Sequence, residues 1–204
     1  MAKLIITISD AEIWAAFREG EEQAYEYIYK KFAPVLLNYG QHLIQDRQLV
    51  EDCMHDLFVQ LYEHKATLGN TDSIKFYLFR SLRRKIAEAV AHQKKFGKDL
   101  DLEQGKGFEV VSSPENQMID EISVLLRDNT LQDAINQLPK RQREALYLLY
   151  FNQLSYKEIS AIMTLEVRTV YNQVHNALEN LKKHHLLVKP LLSMILAVHC
   201  PFLV

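Results

Sequence analysis

Residues 154–183, LSYKEISAIMTLEVRTVYNQVHNALENLKK, decide how this chain is read, because they describe two helices joined by a very short turn. Ser155 and Glu158 have the spacing of a capping box, in which the serine oxygen accepts from the amide three residues on and the glutamate reaches back, so a helix starts right after Leu154. Ile159, Ile162 and Met163 fall on one side of it, and Thr164, Leu165 and Glu166 make the turn. A second helix then carries Val167, Val170, Val174, Leu178 and Leu181 at three- and four-residue spacing as its buried stripe. This is a helix-turn-helix. Its other side holds Arg168, Thr169, Tyr171, Asn172, Gln173, His175 and Asn176, residue types that pair with base edges or phosphates from a helix in the major groove. The same spacing also fits an ordinary helical hairpin with a solvated polar side, and Glu166 and Glu179 leave the second helix poor in cations.

Working outward, the preceding residues supply a core for that motif. Pro139 opens a helix, KRQREALYLLYF, that brings Leu146, Leu149 and Tyr150 to it, and an earlier helical pattern runs from Glu121 through Leu138. Between 99 and 120, DLDLEQGKGFEVVSSPENQMID loses the apolar period and gathers glycine, serine and proline, as a linker does. Charge follows the same division. Residues 1–98 hold fourteen cations against thirteen carboxylates, 99–133 two against nine, and 134–204 eight against four.

The first half is also helical, with no run of period-2 alternation. Ser9 or Asp10 caps a helix through Trp14 and Phe17 that ends near Gly20. A second pattern from Glu21 is expected to break at Pro34 and resume through Leu36, Tyr39 and Leu43. From Leu49 to about Lys65 an amphipathic helix puts Val50, Cys53, Met54, Leu57, Phe58, Leu61 and Tyr62 inward, and Glu51, Asp52, Asp56 and Gln60 outward. That carboxylate cluster reads as a solvated face or as a docking surface for a basic partner. Residues 73–98 then combine a core stripe (Phe76, Leu78, Phe79, Leu82, Ile86, Val90) with Lys75, Arg80, Arg83, Arg84, Lys85, Lys94, Lys95 and Lys98 against Glu88 alone. Cations interleaved with Phe76, Tyr77 and Phe79 suit a nucleic-acid strand, where phosphates are neutralised and unstacked bases meet aromatic surface. The plainer alternative is a solubilised helix whose aromatics are all core.

A basic aromatic helix in one helical domain, a joint, and a helix-turn-helix in a second is a layout similar to bacterial RNA polymerase sigma factors, most of all the small two-domain extracytoplasmic-function (ECF) group. VEDCMHDLFVQLY (50–62) resembles that family's polymerase-binding helix, FYLFRSLRRKIAEAV (76–90) its promoter-melting helix, and 138–163 with 167–183 its second domain. The resemblance spans roughly residues 10–185 in order and spacing. It implies an all-α fold: two small helical domains, 1–98 and 121–185, joined by a flexible acidic linker (99–120), the second a winged-helix-like helix-turn-helix DNA-binding domain. It also implies roles. Asp52, Asp56, Leu57, Phe58 and Leu61 would face core RNA polymerase; Arg80, Arg83, Arg84, Lys85 and Glu88 would engage the minus 10 element; Arg168, Thr169, Tyr171, Asn172, Gln173 and His175 would read the minus 35 element of promoter DNA. An anti-sigma factor is a common partner in the family. Thr164 stands where the family's turn often has Gly, and Asn172, Asn176, Leu178 and Glu179 where basic residues are frequent, which implies weak DNA affinity without polymerase.

Other classes are disfavoured. No Gly-rich phosphate loop, activated nucleophile or metal-ligand spacing is present, so neither an enzyme, a metal nor a cofactor is expected. Cys53 and Cys200 form no CxxC pair and no secretory signal opens the chain, which points to a reduced cytoplasmic protein. Residues 186–204 are apolar, but Pro190 and Pro201 leave them short of the ~20 residues a membrane span needs, so no stable membrane insertion is expected. A short packed helix or a docking strip fits them better. The competing function is a helix-turn-helix regulator that binds duplex DNA without polymerase.

Overall fold

The computed structural model describes residues 9–95 and 129–184 of the 204-residue chain. The chain divides into two compact units, 1–105 and 106–204. All regular elements among the described residues are helical, with no strand and hence no wing. The proposed linker at 99–120 and the apolar tail at 186–204 lie outside the described residues, as does the first part, 121–128, of the helical pattern expected from Glu121.

The first unit holds α1 (Asp10–Glu19), α2 (Glu22–Leu43), α3 (Arg47–Glu63), a 3-10 turn (Lys65–Thr67) and α4 (Ile74–Lys95). Its start is dictated locally. The Ser9 amide and hydroxyl donate to Glu12 Oε2 at 2.8 and 2.7 Å, and the Glu12 amide returns to Ser9 Oγ at 3.3 Å. Hydrogen bonding from the Ser9 backbone, then from its side chain, holds the Glu12 carboxyl below its ordinary range. Gly20 closes the helix in the left-handed region at φ 99°.

Helix α1 then fixes the entry to α4. Trp14, 1% exposed, donates through Nε1 to the Gly69 carbonyl at 2.8 Å, Arg18 bonds Asn70, and Asp10 Oδ2 accepts from the Ile74 amide at 2.9 Å. The last contact caps α4 with a residue 64 positions away, while Ser73 Oγ accepts from the Phe76 amide at 3.2 Å.

Helix α2 runs unbroken through Pro34, against the expected interruption. A proline inside a helix removes one hydrogen bond and costs about 3 kcal/mol. Here Pro34 is exposed, so water can reach the carbonyl left without a partner. The buried residues on both sides, Ile28 and Phe32 before it and Leu36, Tyr39 and Leu43 after it, each gain about 1.5–3 kcal/mol from burial. One continuous stripe outweighs the break.

Helices α2, α3 and α4 come together around Gly40. A methyl group built there would stand 2.4 Å from Val50 Cγ1 and 3.3 Å from Ile86 Cδ1. Val50 is β-branched and 0% exposed, so it cannot swing aside. Gly40→Ala is expected to destabilise the first unit by about 1–3 kcal/mol despite alanine's better helix propensity. Urea unfolding followed by circular dichroism measures this, and Val50→Ala in the same chain should cost less than it does alone.

The second unit holds α5 (Asn129–Asn136), α6 (Lys140–Leu146), a π-helical turn (Tyr147–Phe151), α7 (Tyr156–Met163) and α8 (Val167–His184). Pro139 precedes α6, as its sequence position implies. Residues 143 to 149, from the end of α6 into the wide π turn, are all buried. Asn152 Nδ2 donates to the Tyr147 carbonyl at 3.3 Å, and burial pushes the Tyr147 phenol up to about 12. Asn180 Nδ2 donates to Gln142 Oε1 at 3.2 Å, tying α8 to α6.

Candidate nucleic-acid interface

The corner between α7 and α8 is built as its sequence implies. Ser155 Oγ and its amide donate to Glu158 Oε2 at 2.6 and 2.8 Å, the Glu158 amide donates to Ser155 Oγ at 3.3 Å, and Ile159, Ile162 and Met163 are buried. Thr164 ends α7 in the left-handed region, φ 57° and ψ 48°, and its amide donates to the Ser160 carbonyl, which also accepts from Leu165 at 2.9 Å. A β-branched residue is strained in that conformation by roughly 1–2 kcal/mol.

On α8 the buried stripe is Val170, Val174, Ala177 and Leu181, each at most 5% exposed. Two residues expected on that stripe lie off it. Val167, the first helical residue, is 39% exposed, and Leu178 sits at the edge, half-buried. Position 177 takes the place given to 178, since a stripe at 170, 174 and 181 needs the residue three after 174.

The opposite side carries the residues read as base-contacting. Arg168, Tyr171, Asn172, His175 and Asn176 are exposed, and Thr169 and Gln173 are half-buried. Glu179, four residues beyond His175, is engaged by Lys182 at 2.7 Å, and that hydrogen bond is the main cause of its lowered carboxyl pKa. Tyr171 is stacked on Tyr156, ring centroids 3.8 Å apart and planes at 16°. Tyr156 was not among the residues singled out from the sequence. Its partner lies fifteen positions away, and only the corner angle brings them together.

In the first unit α4 buries Ile74, Leu78, Phe79, Leu82 and Ile86 completely and Val90 to 3% exposure. Arg80, Arg84 and Glu88 are exposed, and Arg83 and Lys85 are half-buried. Arg84 Nε lies 3.5 Å from Glu88 Oε1, an exposed i,i+4 pair of small energetic weight. The aromatic part of the expected strand surface is not as the sequence suggests. Phe79 packs on Tyr39 with centroids 4.8 Å apart, Tyr77 leans on Trp14 at 4.9 Å, and Phe76 is half-buried. The cations are presented; the rings largely serve the core.

Helix α3 divides the residues that the resemblance assigns to polymerase. Asp52 and Asp56 are exposed, whereas Leu57, Phe58 and Leu61 are 4%, 3% and 2% exposed. Those three are core residues and offer no surface to a partner, because they are the inward stripe that seats α3. The large apolar side chains exposed on these helices are others, among them Val59 at 38% and Tyr62 at 41% on α3 and Tyr29 at 46% on α2. Tyr62, expected inward, instead packs at the rim against Tyr25 at 5.1 Å, with Lys65 Nζ 3.8 Å above its ring. Tyr29 meets Phe58 edge-on at 4.8 Å, and the Tyr25 hydroxyl donates to the Phe58 carbonyl at 3.2 Å. Met54, expected inward, is half-buried. Among the described residues no group of three His, Cys, Asp or Glu could hold a metal ion, and no helix is long and apolar enough to cross a membrane.

Comparison with known proteins places these observations. Residues 128–181 match the family model described as Sigma-70, region 4. The chain is 27% identical over 186 residues to the RNA polymerase sigma-H factor of Pseudomonas aeruginosa, a match covering 85% of this chain and 92% of that one. It is 28% identical over 156 residues to the ECF RNA polymerase sigma factor SigM of Bacillus subtilis, covering 76% and 91%. Its fold is similar to the sigma factor RpoE in complex with the anti-sigma factor NepR from Bartonella quintana, with TM-score 0.56 at 18% identity, over 79% of this chain and 96% of that one. It is also similar to CnrH in complex with the cytosolic domain of CnrY, with TM-score 0.54 at 16% identity, over 85% and 95%.

The left-handed Thr164 gives this corner a removable strain. Thr164→Gly is expected to raise the stability of the second unit by about 0.5–1 kcal/mol, the relief of strain less the greater freedom glycine has when unfolded. A higher thermal midpoint, with Thr164→Val showing none of the gain, checks it.

Proposed function

Because this chain belongs to the bacterial RNA polymerase sigma factors of the ECF group, we propose a division of work among the residues placed above. The domain at 1–98 binds core polymerase and the minus 10 element, the domain at 121–185 reads the minus 35 element, and 99–120 joins them. On α3, Asp52 and Asp56 give the charged contacts with polymerase and Val59, Tyr62 and Tyr29 the apolar ones, while Leu57, Phe58 and Leu61 hold the helix in place. On α4, Arg80, Arg83, Arg84 and Lys85 engage the phosphates of the minus 10 strand, with Glu88 orienting Arg84. On α8, Arg168, Asn172 and Gln173 face base edges, where arginine suits guanine and the amides suit adenine. Thr169, Tyr171 and His175 complete that face.

The observation that carries the reading is the presence, in one chain, of a cation-edged helix with its apolar side fully buried and a helix-turn-helix with an open polar side. The protein performs no covalent step. It acts in the cytoplasm as a dissociable subunit, and the family's habit of restraint by an anti-sigma factor extends to it.

Run-off transcription with purified core polymerase tests this: the chain should direct initiation from a mapped promoter and bind the isolated duplex weakly. Arg168→Ala and Gln173→Ala should each weaken holoenzyme binding by about fivefold to a hundredfold, with relaxed preference at one base pair. Arg80→Ala or Arg84→Ala should lower the salt dependence of open-complex binding by roughly 0.7 in log–log slope for each phosphate no longer neutralised. Asp52→Lys with Asp56→Lys should remove association with core polymerase while leaving the helical signal unchanged. A chain that binds its duplex as tightly alone as with polymerase is a conventional regulator instead.

A further inference from the structure

Tyr171 is half open to solvent, at 51% exposure, yet its ring is not free to wander. One side of it lies flat on Tyr156 at 3.8 Å between centroids. Tyr156 is the first residue of α7, directly after the serine of the capping box, so the backbone beneath it is itself fixed. Burial raises the Tyr156 phenol pKa, and the neighbouring Tyr171 raises it further. Tyr150, from the π turn, is pushed up to about 12 by burial, with Tyr156 adding to the shift. Tyr156 and Tyr171, from successive helices, thus form a stacked pair whose outer ring is open to solvent.

A surface tyrosine on a helix samples several rotamers, and a ligand that uses it must first freeze it, which weakens binding by about threefold to tenfold. The stack does this in advance. It also leaves Tyr171 with only its far side and edge to offer, between Arg168 and Asn172 on the polar side of α8. In the major groove the base edges present donors and acceptors, which those two neighbours suit, and a single apolar group, the thymine 5-methyl.

We propose that Tyr156 is a positioning residue of the reading helix, stacking on Tyr171 so that this ring rests against a thymine methyl in the minus 35 element. This rests on the reading of α8 as the helix that enters the groove.

The test uses holoenzyme assembled from core polymerase and the full chain, with equilibrium binding to a duplex carrying the mapped minus 35 element. Tyr156→Phe keeps the stack and should bind as the unaltered chain does. Tyr156→Ala and Tyr156→Leu, the second keeping the apolar cover without the flat ring, should weaken binding about threefold to tenfold, as Tyr171→Ala does. In a Tyr171→Ala background they should weaken it no further. Replacing thymines by uracil one at a time should reveal a position where the unaltered chain loses a similar factor and Tyr171→Ala loses none. The proposal is overturned if the Tyr156 variants bind normally, if their effect adds to that of Tyr171→Ala, or if uracil is tolerated everywhere. Arg168→Ala and Gln173→Ala separate the two levels. If they weaken binding while the Tyr156 variants do not, only the positioning role falls; if they too bind at full strength, the reading of α8 falls with it.

Discussion

Helix α4 can bury one side only, and it buries that side completely: Ile74, Leu78, Phe79, Leu82 and Ile86 are all at 0% exposure. At about 1.5–3 kcal/mol for each such side chain, rotating the helix to turn a cation inward would cost more than any exposed contact returns. The orientation of Arg80 and Arg84 toward solvent is therefore a by-product of core packing. The same argument holds in the second unit, where Val170, Val174, Ala177 and Leu181 fix the roll of α8 and leave Arg168, Asn172 and His175 outside. Each unit presents a rigid polar ridge because its apolar side has no second arrangement of comparable energy.

Position along the helix axis needs a separate device, and the two units use different ones. In the first, α1 reaches over the chain before α4, with Trp14 on Gly69 and Asp10 on the Ile74 amide, so α4 begins at a fixed point. In the second, the start of α7 is set by the Ser155–Glu158 capping box and its end by the bonds from Thr164 and Leu165 to the Ser160 carbonyl. A capping residue is worth about 1 kcal/mol in stability. Its larger consequence here is geometric, since a shift of one residue along α8 would rotate the polar ridge by about a quarter turn.

Much of this was legible in the sequence because local chemistry and periodicity are written there directly. The Ser155–Glu158 capping box, a first helix capped at Ser9 and closed at Gly20, the helix starting after Pro139 and the cation ridge on α4 follow from residue types at fixed spacing. The errors come where one stripe meets several neighbours. Pro34 looks like a break because propensity is local, whereas the burial that overrides it is tertiary. Tyr62 and Val167 belong to apolar patterns yet lie at their margins, and periodicity does not say where a neighbouring helix ends. Leu57, Phe58 and Leu61 match the pattern of a partner-binding helix, but their apolar character reports the protein's own core. The Tyr156–Tyr171 stack was out of reach altogether, because no spacing rule links the first residue of one helix to the fifth of the next across a corner.

The polar ridge of α8 poses a problem of affinity that the chain's organisation resolves. Phosphate contacts supply most of the binding energy in protein–DNA association, and residues 134–204 hold only eight cations against four carboxylates. A reader with so few charges discriminates between bases while holding weakly. If both domains share one chain and the first is held at the promoter by polymerase, the second meets its element at an effective concentration set by the connecting segment, on the order of millimolar for a short flexible one. Weak intrinsic binding then suffices. It also confers selectivity, because a free chain with strong phosphate affinity would be spread over non-specific duplex, and one that depends on polymerase for its hold acts only where polymerase is present. Under that arrangement rigid, pre-set contacts count for more than additional cations, which is the property that a ring fixed by stacking provides.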